Sequence, residues 1–292
     1  MTSQPGSALS IEQLHNVNSS QRVKDWVGRV LASVQPGLAR DLFRAPTVNP
    51  SGLVSRAIMF HLRRRAVEEE RHGFLARLHR DFWASENGAE FSGNCDHRFE
   101  DLFLAKQQVD FRALQEALVH QPCSRIVELG ANSGLLLQHL TTKLDGIESA
   151  TGIDINQAQV ERNLASGRFD PRIEFLCADG QKWVTENAQP STLFVTNGGV
   201  LEYFRREKLD AMMRHIADHA GPSIFYCSEP FADDHDFGSV AESIPFGEEI
   251  SFSHNYRDLF EKNGFEVLHQ RAVHYESWRM QATIAITPGR RQ

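Results

Sequence analysis

Apolar positions along the chain fall into two textures. Up to about residue 120 they recur at helical spacing: Ile11, Leu14 and Val17 first, then Val23, Trp26, Val27, Val30 and Leu31. Pro36-Gly37 predicts a break, and the two prolines and glycine within residues 45–52 predict a loop. A long charged helix is expected from Leu53 to Trp83. Along it Arg63, Arg64 and Arg65 precede Glu68, Glu69 and Glu70, so opposite charges fall four apart on one solvated face. Residues 86–97 read as a loop. Phe99 to His120 reads as a helix striped by Phe103, Leu104, Phe111, Leu114, Leu118 and Val119, and Pro122 ends it.

From Arg125 the texture changes to strand-length apolar runs alternating with helices. Ile126, Val127 and Leu129 mark the first strand. Others are expected at Ser149–Ile153, Ile173–Cys177, Thr192–Thr196 and Ser223–Cys227. The clearest intervening helices are Asn156–Ser166 and Phe204–Ala220. After an irregular stretch, Glu229–Phe252, a helix is expected at Asn255–Asn263. Two further strands, Phe265–His274 and Trp278–Ile286, are joined by a short turn. The alternation predicts an α/β fold with a mostly parallel sheet covered by helices on both faces. The closing pair must be antiparallel, because parallel neighbours need a long crossover. The expected division is a helical cap over residues 1–121 and a ligand-binding α/β domain over 122–292.

The 292 residues, 41% of them hydrophobic, suffice for a large core. No apolar run is long enough to span a bilayer. Met1–Ser10 is polar and small, unlike a secretory leader, so a cytoplasmic protein is expected with no membrane partner. A net charge of −7 argues against nucleic acid, whose binding rests on many Lys and Arg contacts to phosphate. Cys95, Cys123, Cys177 and Cys227 show no C-x-x-C spacing, so neither a zinc site nor a disulfide framework is indicated.

Chemistry concentrates at Arg125–Gly134, a strand, a glycine turn and a helix start. Leu135, Leu136, Leu137 and Leu140 continue at helical spacing. A dinucleotide fingerprint needs glycines at its first, third and sixth positions. Counted from Gly130 these hold Gly130, Asn132 and Leu135, so the fingerprint fails. The pattern present is Glu128-x-Gly130-x-Asn132-x-Gly134, an acid followed by alternating small-turn residues. Asn132 tolerates left-handed backbone, so the turn survives without a middle glycine. Ligands of such sheets lie beyond the carboxyl ends of the strands. Asp154 ends the second strand, about 20 residues past the turn, where an acid bonds ribose hydroxyls. Asp179 ends the third strand and Asn197-Gly198 the fourth. Asp154 and Asp179 could instead cap the helices that follow them.

The acid-glycine motif resembles the first motif of class I S-adenosylmethionine-dependent methyltransferases. The strand pattern from Arg125 to Thr287 resembles their Rossmann-like, seven-stranded, mostly parallel core with an antiparallel last strand. The resemblance implies S-adenosylmethionine as cofactor, with S-adenosylhomocysteine as product. It places Glu128, Gly130, Ala131, Asn132, Gly134, Asp154, Ile155, Asp179, Gly180, Asn197 and Gly198 around that cofactor. Asp179 matches the acid that faces the adenine amino group. No Asp-x-x-Tyr motif and no Asp/Asn pair follows the fourth strand, so no catalytic metal is expected.

Ser253-His254-Asn255-Tyr256, with Leu259-Phe260 and Asn263-Gly264-Phe265, resembles a segment of sugar and polyketide O-methyltransferases of natural-product biosynthesis. On that resemblance the acceptor is a small molecule methylated at a hydroxyl. A hydroxyl needs a general base, for which His254 is first choice and His235, beside aspartates that would raise its pKa, second. Ser253 could cap the helix that follows. Glu202, Tyr203, Glu229, Asn255 and Tyr256 are the candidate acceptor contacts. Trp83, Phe91, His97 and Arg98 are candidate pocket residues of the cap, whose helices are also the expected homodimer surface. Two alternatives remain at this level. One is an NAD(P)-dependent oxidoreductase, which would use Asp154 equally well. The other is a non-methylating or non-catalytic protein on the methyltransferase fold.

Overall fold

In the computed structural model, which describes residues 19–48, 50–93, 96–247, 249–275 and 278–288, seven strands form one sheet. β1 (Arg125–Leu129), β2 (Ser149–Asp154), β3 (Ile173–Cys177), β4 (Thr192–Asn197) and β5 (Ile224–Phe231) run parallel. A separate short hairpin, β6 (Ile244–Phe246) and β7 (Ser251–Ser253), precedes β8 (Glu266–Tyr275) and β9 (Trp278–Ile286). β9 inserts antiparallel between β5 and β8, giving the order β3-β2-β1-β4-β5-β9-β8. β1 therefore has β2 on one side and β4 on the other, and the winding direction reverses there. That switch point opens a crevice at the strands' carboxyl ends.

Seven helices lie before and beside β1. They are α1 (Ser19–Val34), α2 (Pro36–Arg44), α3 (Leu53–Glu68), α4 (His72–Trp83), α5 (Glu86–Gly93), α6 (Gln108–His120) and α7 (Leu135–Lys143). α8 (Gln157–Ser166), α9 (Gly180–Asn187), α10 (Arg206–His219) and α11 (Tyr256–Lys262) complete the set. One face of the sheet buries Ile126, Val195 and Tyr226 against Leu114 of α6 and Leu137 and Leu140 of α7. The other buries Val127, Phe194 and Phe225 against Met212, Met213 and Ile216 of α10 and Phe260 of α11. Each such side chain contributes about 1.5–3 kcal/mol relative to exposure. A third core binds the cap: Ile58, Met59, Phe74, Leu75 and Leu78 pack with Ile250 and Phe252 of the hairpin.

The strand positions agree with the sequence reading to within a few residues, and several expectations are corrected. The helix expected over Leu53–Trp83 is two helices. Glu70 takes φ 52°, and Arg71 N–H donates back to Ala66 O at 2.7 Å, which folds the chain over between α3 and α4. Arg64–Glu68 pairs at 3.2 Å and Arg65 pairs with Glu69, but Arg63 donates instead to Glu249 O at 3.1 Å. Residues 86–93 are helical, not a loop. The Ser85 hydroxyl accepts from Gly88 N–H at 3.3 Å, and a Cβ on Gly88 would lie 2.5 Å from Phe82 O, so glycine lets α5 pack against the end of α4. The segment Phe99–His120 divides into a π-helical turn, Phe99–Leu104, and α6. Gln107 at the division is pinned by Ser228 Oγ at 2.6 Å and Tyr226 OH at 2.9 Å.

The stretch Glu229–Phe252 is not wholly irregular, since β5 continues to Phe231 and β6 pairs with β7. Asn255, not Ser253, caps α11, accepting from Asp258 N–H at 3.2 Å. Ser253 Oγ accepts from Ala232 N–H at 3.0 Å. The Ile11, Leu14 and Val17 pattern and Cys95 lie outside the described residues. Among the described residues no helix is long and apolar enough to cross a membrane.

Candidate functional site

The carboxyl ends of β1 to β4 converge on a cavity of about 480 Å³ roofed by the cap, within the size range of small-molecule sites. The glycine turn forms its floor. Gly130 has φ 69°, and a Cβ there would sit 2.6 Å from Val200 Cγ2, so no other residue fits both the backbone and the space. Gly130 and Ala131 N–H both donate to Ile153 O, at 2.8 and 3.0 Å, tying the turn to β2. Asn132 follows at φ 44°. Its N–H donates to Asp154 Oδ2 at 2.9 Å, while Asp154 Oδ1 accepts from Asn156 N–H at 2.8 Å. Burial raises the Asp154 carboxyl against the opposing pull of these N–H groups. The helix-capping role falls to Asn156, whose side chain accepts from Gln159 N–H.

Three oxygens on this floor are buried without a partner: Glu128 Oε2, Asn132 Oδ1 and Asn197 Oδ1. All three residues line the cavity. Burial pushes the Glu128 carboxyl well above its ordinary range, and the nearby Asp154 carboxylate adds to the shift. An unpaired buried polar group costs about 1–3 kcal/mol, so three acceptors in one cavity describe a site shaped for a ligand rich in donors. Asp179 caps α9, accepting from Lys182 N–H at 3.2 Å, and pairs with Arg80 of the cap at 3.5 Å.

The β4 side is set by Glu229. Fully buried, it accepts from Val200 N–H at 2.7 Å and Leu201 N–H at 3.0 Å and so fixes the loop after Asn197. Burial pushes its carboxyl up to about 7. Gly73, Ala76, Arg77, Arg80 and Trp83 present one face of α4 to the cavity from above. Arg98 Nη1 donates to Gly198 O at 3.3 Å, and Asn156 Nδ2 to Trp83 O and Ser85 O at 2.8 Å each. These bonds join cap to sheet at the cavity rim. Tyr203 OH donates to Glu249 at 3.2 Å, and its ring tilts against Trp83 and His79.

Of the expected cofactor residues, Glu128, Gly130, Ala131, Asn132, Asp154, Ile155, Asp179, Gly180, Asn197 and Gly198 line this single cavity. Gly134 does not. It opens α7 at φ 73°, where a Cβ would meet Phe175 at 2.6 Å and Phe169 at 3.0 Å, so its lack of a side chain serves packing. Tyr203, Trp83 and Arg98 also line the cavity, whereas His97 and Phe91 do not. Glu202 and Glu229 are buried behind the wall. Asn255 is a helix cap donating to Phe237 O at 2.9 Å, and Tyr256 is a core residue; none of these four lines the cavity.

Both expected bases are corrected as well. His254 is 0% exposed; its Nδ1 meets Ser243 Oγ and its Nε2 meets Leu201 O at 3.1 Å. Burial drives its pKa down to about 3. His235 is buried on Ser253 Oγ at 2.8 Å and Val240 O at 3.3 Å. Burial lowers its pKa by more than the neighbouring aspartates raise it. Neither ring reaches the cavity. The residues that sequence reasoning missed are mainly the α4 face and the start of α10, Phe204, Arg205 and Lys208. Small and cationic residues at positions 73, 76, 77 and 80 recur at helical spacing beside the apolar positions Phe74, Leu75 and Leu78, a signal that could have marked that face.

A family model described as a methyltransferase domain matches residues 67–270. No curated protein sequence matches the chain. Among solved structures, magnesium protoporphyrin IX methyltransferase from Synechocystis PCC 6803 with bound S-adenosylmethionine is similar in fold. Its TM-score is 0.52 at 16% identity, covering 73% of this chain and 97% of that one. The same enzyme with S-adenosylhomocysteine gives 0.51 at 16% identity, covering 72% and 98%. A S-adenosylmethionine-dependent methyltransferase from Leishmania major gives 0.50 at 16% identity, covering 73% and 82%.

Proposed function

The chain belongs to the methyltransferase-domain family, and we propose that it transfers a methyl group from S-adenosylmethionine to a small molecule held under the cap. The observation that carries this reading is the set of unpartnered oxygens of Glu128, Asn132 and Asn197, in one cavity with Asp154 and Asp179. The cofactor offers matching donors: an ammonium, two ribose hydroxyls and an adenine amino group. Glu128 and Asn197 would hold the ammonium. Asp154, each oxygen of which keeps a lone pair after its backbone bond, would hold the ribose hydroxyls. Asp179 would face the adenine amino group.

When bound, the cofactor supplies a methyl group activated by its sulfonium. The chain supplies position and dryness. The N–H groups held by Asp154 and Glu229 fix the two loops that would flank the cofactor. The cap, fastened by Arg98 and Asn156, excludes water from the acceptor. A sugar or natural-product hydroxyl was expected from the resemblance of the Ser253–Tyr256 segment and from the available histidines. With His254 and His235 both away from the cavity, only the resemblance is left, and the proposal extends only to a small acceptor. The homodimer reading keeps one support: Val23, Trp26, Val30 and Val34 form an exposed apolar stripe on α1. Trp26→Ala should then lower the sedimentation mass of the purified chain from dimer to monomer.

The test is calorimetry with S-adenosylhomocysteine and with NAD⁺, followed by labelled S-adenosylmethionine against an acceptor panel. Binding of the first ligand alone, with label transferred to an acceptor, supports the proposal. Binding of NAD⁺ alone overturns it.

A further inference from the structure

Besides the carboxyls of Glu128, Asp154 and Asp179, the cavity is lined by the cations Arg77, Arg205 and Lys208. Two of these cations come from different parts of the chain and meet at one point. A Cβ placed on Gly73 would lie 3.8 Å from an Arg205 guanidinium nitrogen and 3.9 Å from one of Arg77. Arg77 is exposed and Arg205 half-buried, so water screens their like charges when the site is empty, and an anion seated beside Gly73 could contact both.

Among the described residues no acid pairs with Arg77, Arg205 or Lys208. Glu69 is taken by Arg65 and Arg71, Asp179 by Arg80, and Asp210 and Asp258 by Arg206. Arg77, Arg205 and Lys208 make no ion pair or side-chain hydrogen bond among the described residues. The backbone supports the same charge preference. Gly73 lies in the first turn of α4 and Arg205 is the residue before α10, and neither helix start has a side-chain cap. Because the whole chain carries −7, these cations are a local reversal of the protein's field.

We infer that Arg77, Arg205 and Lys208 form an anion subsite that holds a carboxylate or phosphate group of the acceptor. The inference rests on the proposed function for the word acceptor, while the subsite itself stands on the cation geometry. Recognition of a planar carboxylate or a phosphate by paired guanidinium groups is strong and directional. The cofactor carries a carboxylate of its own, so assignment of the subsite to the acceptor requires that S-adenosylhomocysteine affinity survive loss of these cations.

The test uses benzoate and phenyl phosphate as anionic probes and benzamide as the neutral control. Each is titrated by calorimetry into the full chain, with S-adenosylhomocysteine titrated in parallel. One or both anions should bind at least about tenfold more tightly than benzamide, and binding should weaken with added salt. The stronger of the two identifies the carboxylate or the phosphate as the natural group. Arg205→Gln and Arg77→Gln should each lose about tenfold or more for the anion, Arg205→Lys should lose less, and affinity for S-adenosylhomocysteine should stay within about twofold. Gly73→Glu puts the chain's own carboxylate into the gap at a helix start that favours it. It should abolish anion binding while the melting temperature holds or rises.

Equal binding of benzamide and the anions, or undiminished anion binding in both Gln variants and in Gly73→Glu, would overturn the inference. Failure of S-adenosylhomocysteine to bind, with anion binding still lost in the variants, would overturn the methyltransferase proposal and leave the subsite standing.

Discussion

Glu229 makes a sharp test of how the cavity wall is held. Its carboxyl is fully buried, accepts two backbone N–H groups, and is pushed from an ordinary 4.5 up to about 7 by burial. The folded-state pKa is raised, so the stabilisation is complete below pH 4.5 and is lost as pH rises toward about 7. Each pH unit in that window costs about 1.4 kcal/mol, or about 3 kcal/mol across it. Gln has the same shape, can keep its carbonyl on the Val200 and Leu201 N–H groups, and has no proton to lose. The Glu229→Gln chain should therefore gain about 3 kcal/mol over the parent between about pH 4.5 and about pH 7.5. That corresponds to roughly 6–12 °C of extra melting temperature in a chain of this size. Guanidinium unfolding of both chains at the two pH values measures it. A gap between them that stays constant within about 0.5 kcal/mol would refute the argument, because the carboxyl would then not be held away from water at the loop it supports.

Further outcomes follow from the same geometry. Asp154→Ala should weaken S-adenosylhomocysteine binding by at least about tenfold in calorimetry, through both lost ribose acceptors and a loosened Asn132 turn. Gly130→Ala should destabilise by about 2–4 kcal/mol in chemical denaturation, summing left-handed strain and the collision with Val200. His254→Ala should cost about 1–3 kcal/mol of stability, with S-adenosylhomocysteine affinity unchanged; a large loss of turnover at full stability would return His254 to the site. His79 is buried on Ile250 O at 3.0 Å with its pKa driven down to about 4. Its folded form is neutral, so its contribution should be lost as pH falls from about 6.5 to about 4. His79→Gln should flatten that acid limb in a melting-temperature profile.

The strands and the residues at the cavity rim were legible in the sequence because each strand is a local pattern. Ile173–Cys177 and Trp278–Ile286 are apolar runs bounded by turn residues, and the structure gives them the same limits. Glu128, Asp154, Asp179 and Asn197 are strand-end residues, so locating the strands was enough to bring them together. What failed depended on contacts distant in sequence. A Ser-His-Asn-Tyr segment gives no sign that a separate element will cover its histidine, and His254 is buried by Leu201 and Ser243. The break at Glu70 followed the fold of α4 back over α3, while the charge pattern ran straight through it. Residues 86–93 looked like a turn because Asn87 and Gly88 are turn formers, yet there the glycine is a packing contact.

The β6–β7 hairpin carries a consequence for how the chain comes into being. Ile250 and Phe252 are interior residues of a layer otherwise made from segments near the amino end. A ribosome that has released only the first half of the polypeptide therefore leaves Phe74, Leu75 and Leu78 packed on Ile58 and Met59 but without Ile250 and Phe252 over them. That layer is completed only when a finger of chain 171 residues beyond His79 arrives. A fragment cut at the apparent joint before β1 lacks Ile250 and Phe252 for good, and should aggregate more readily than the intact chain.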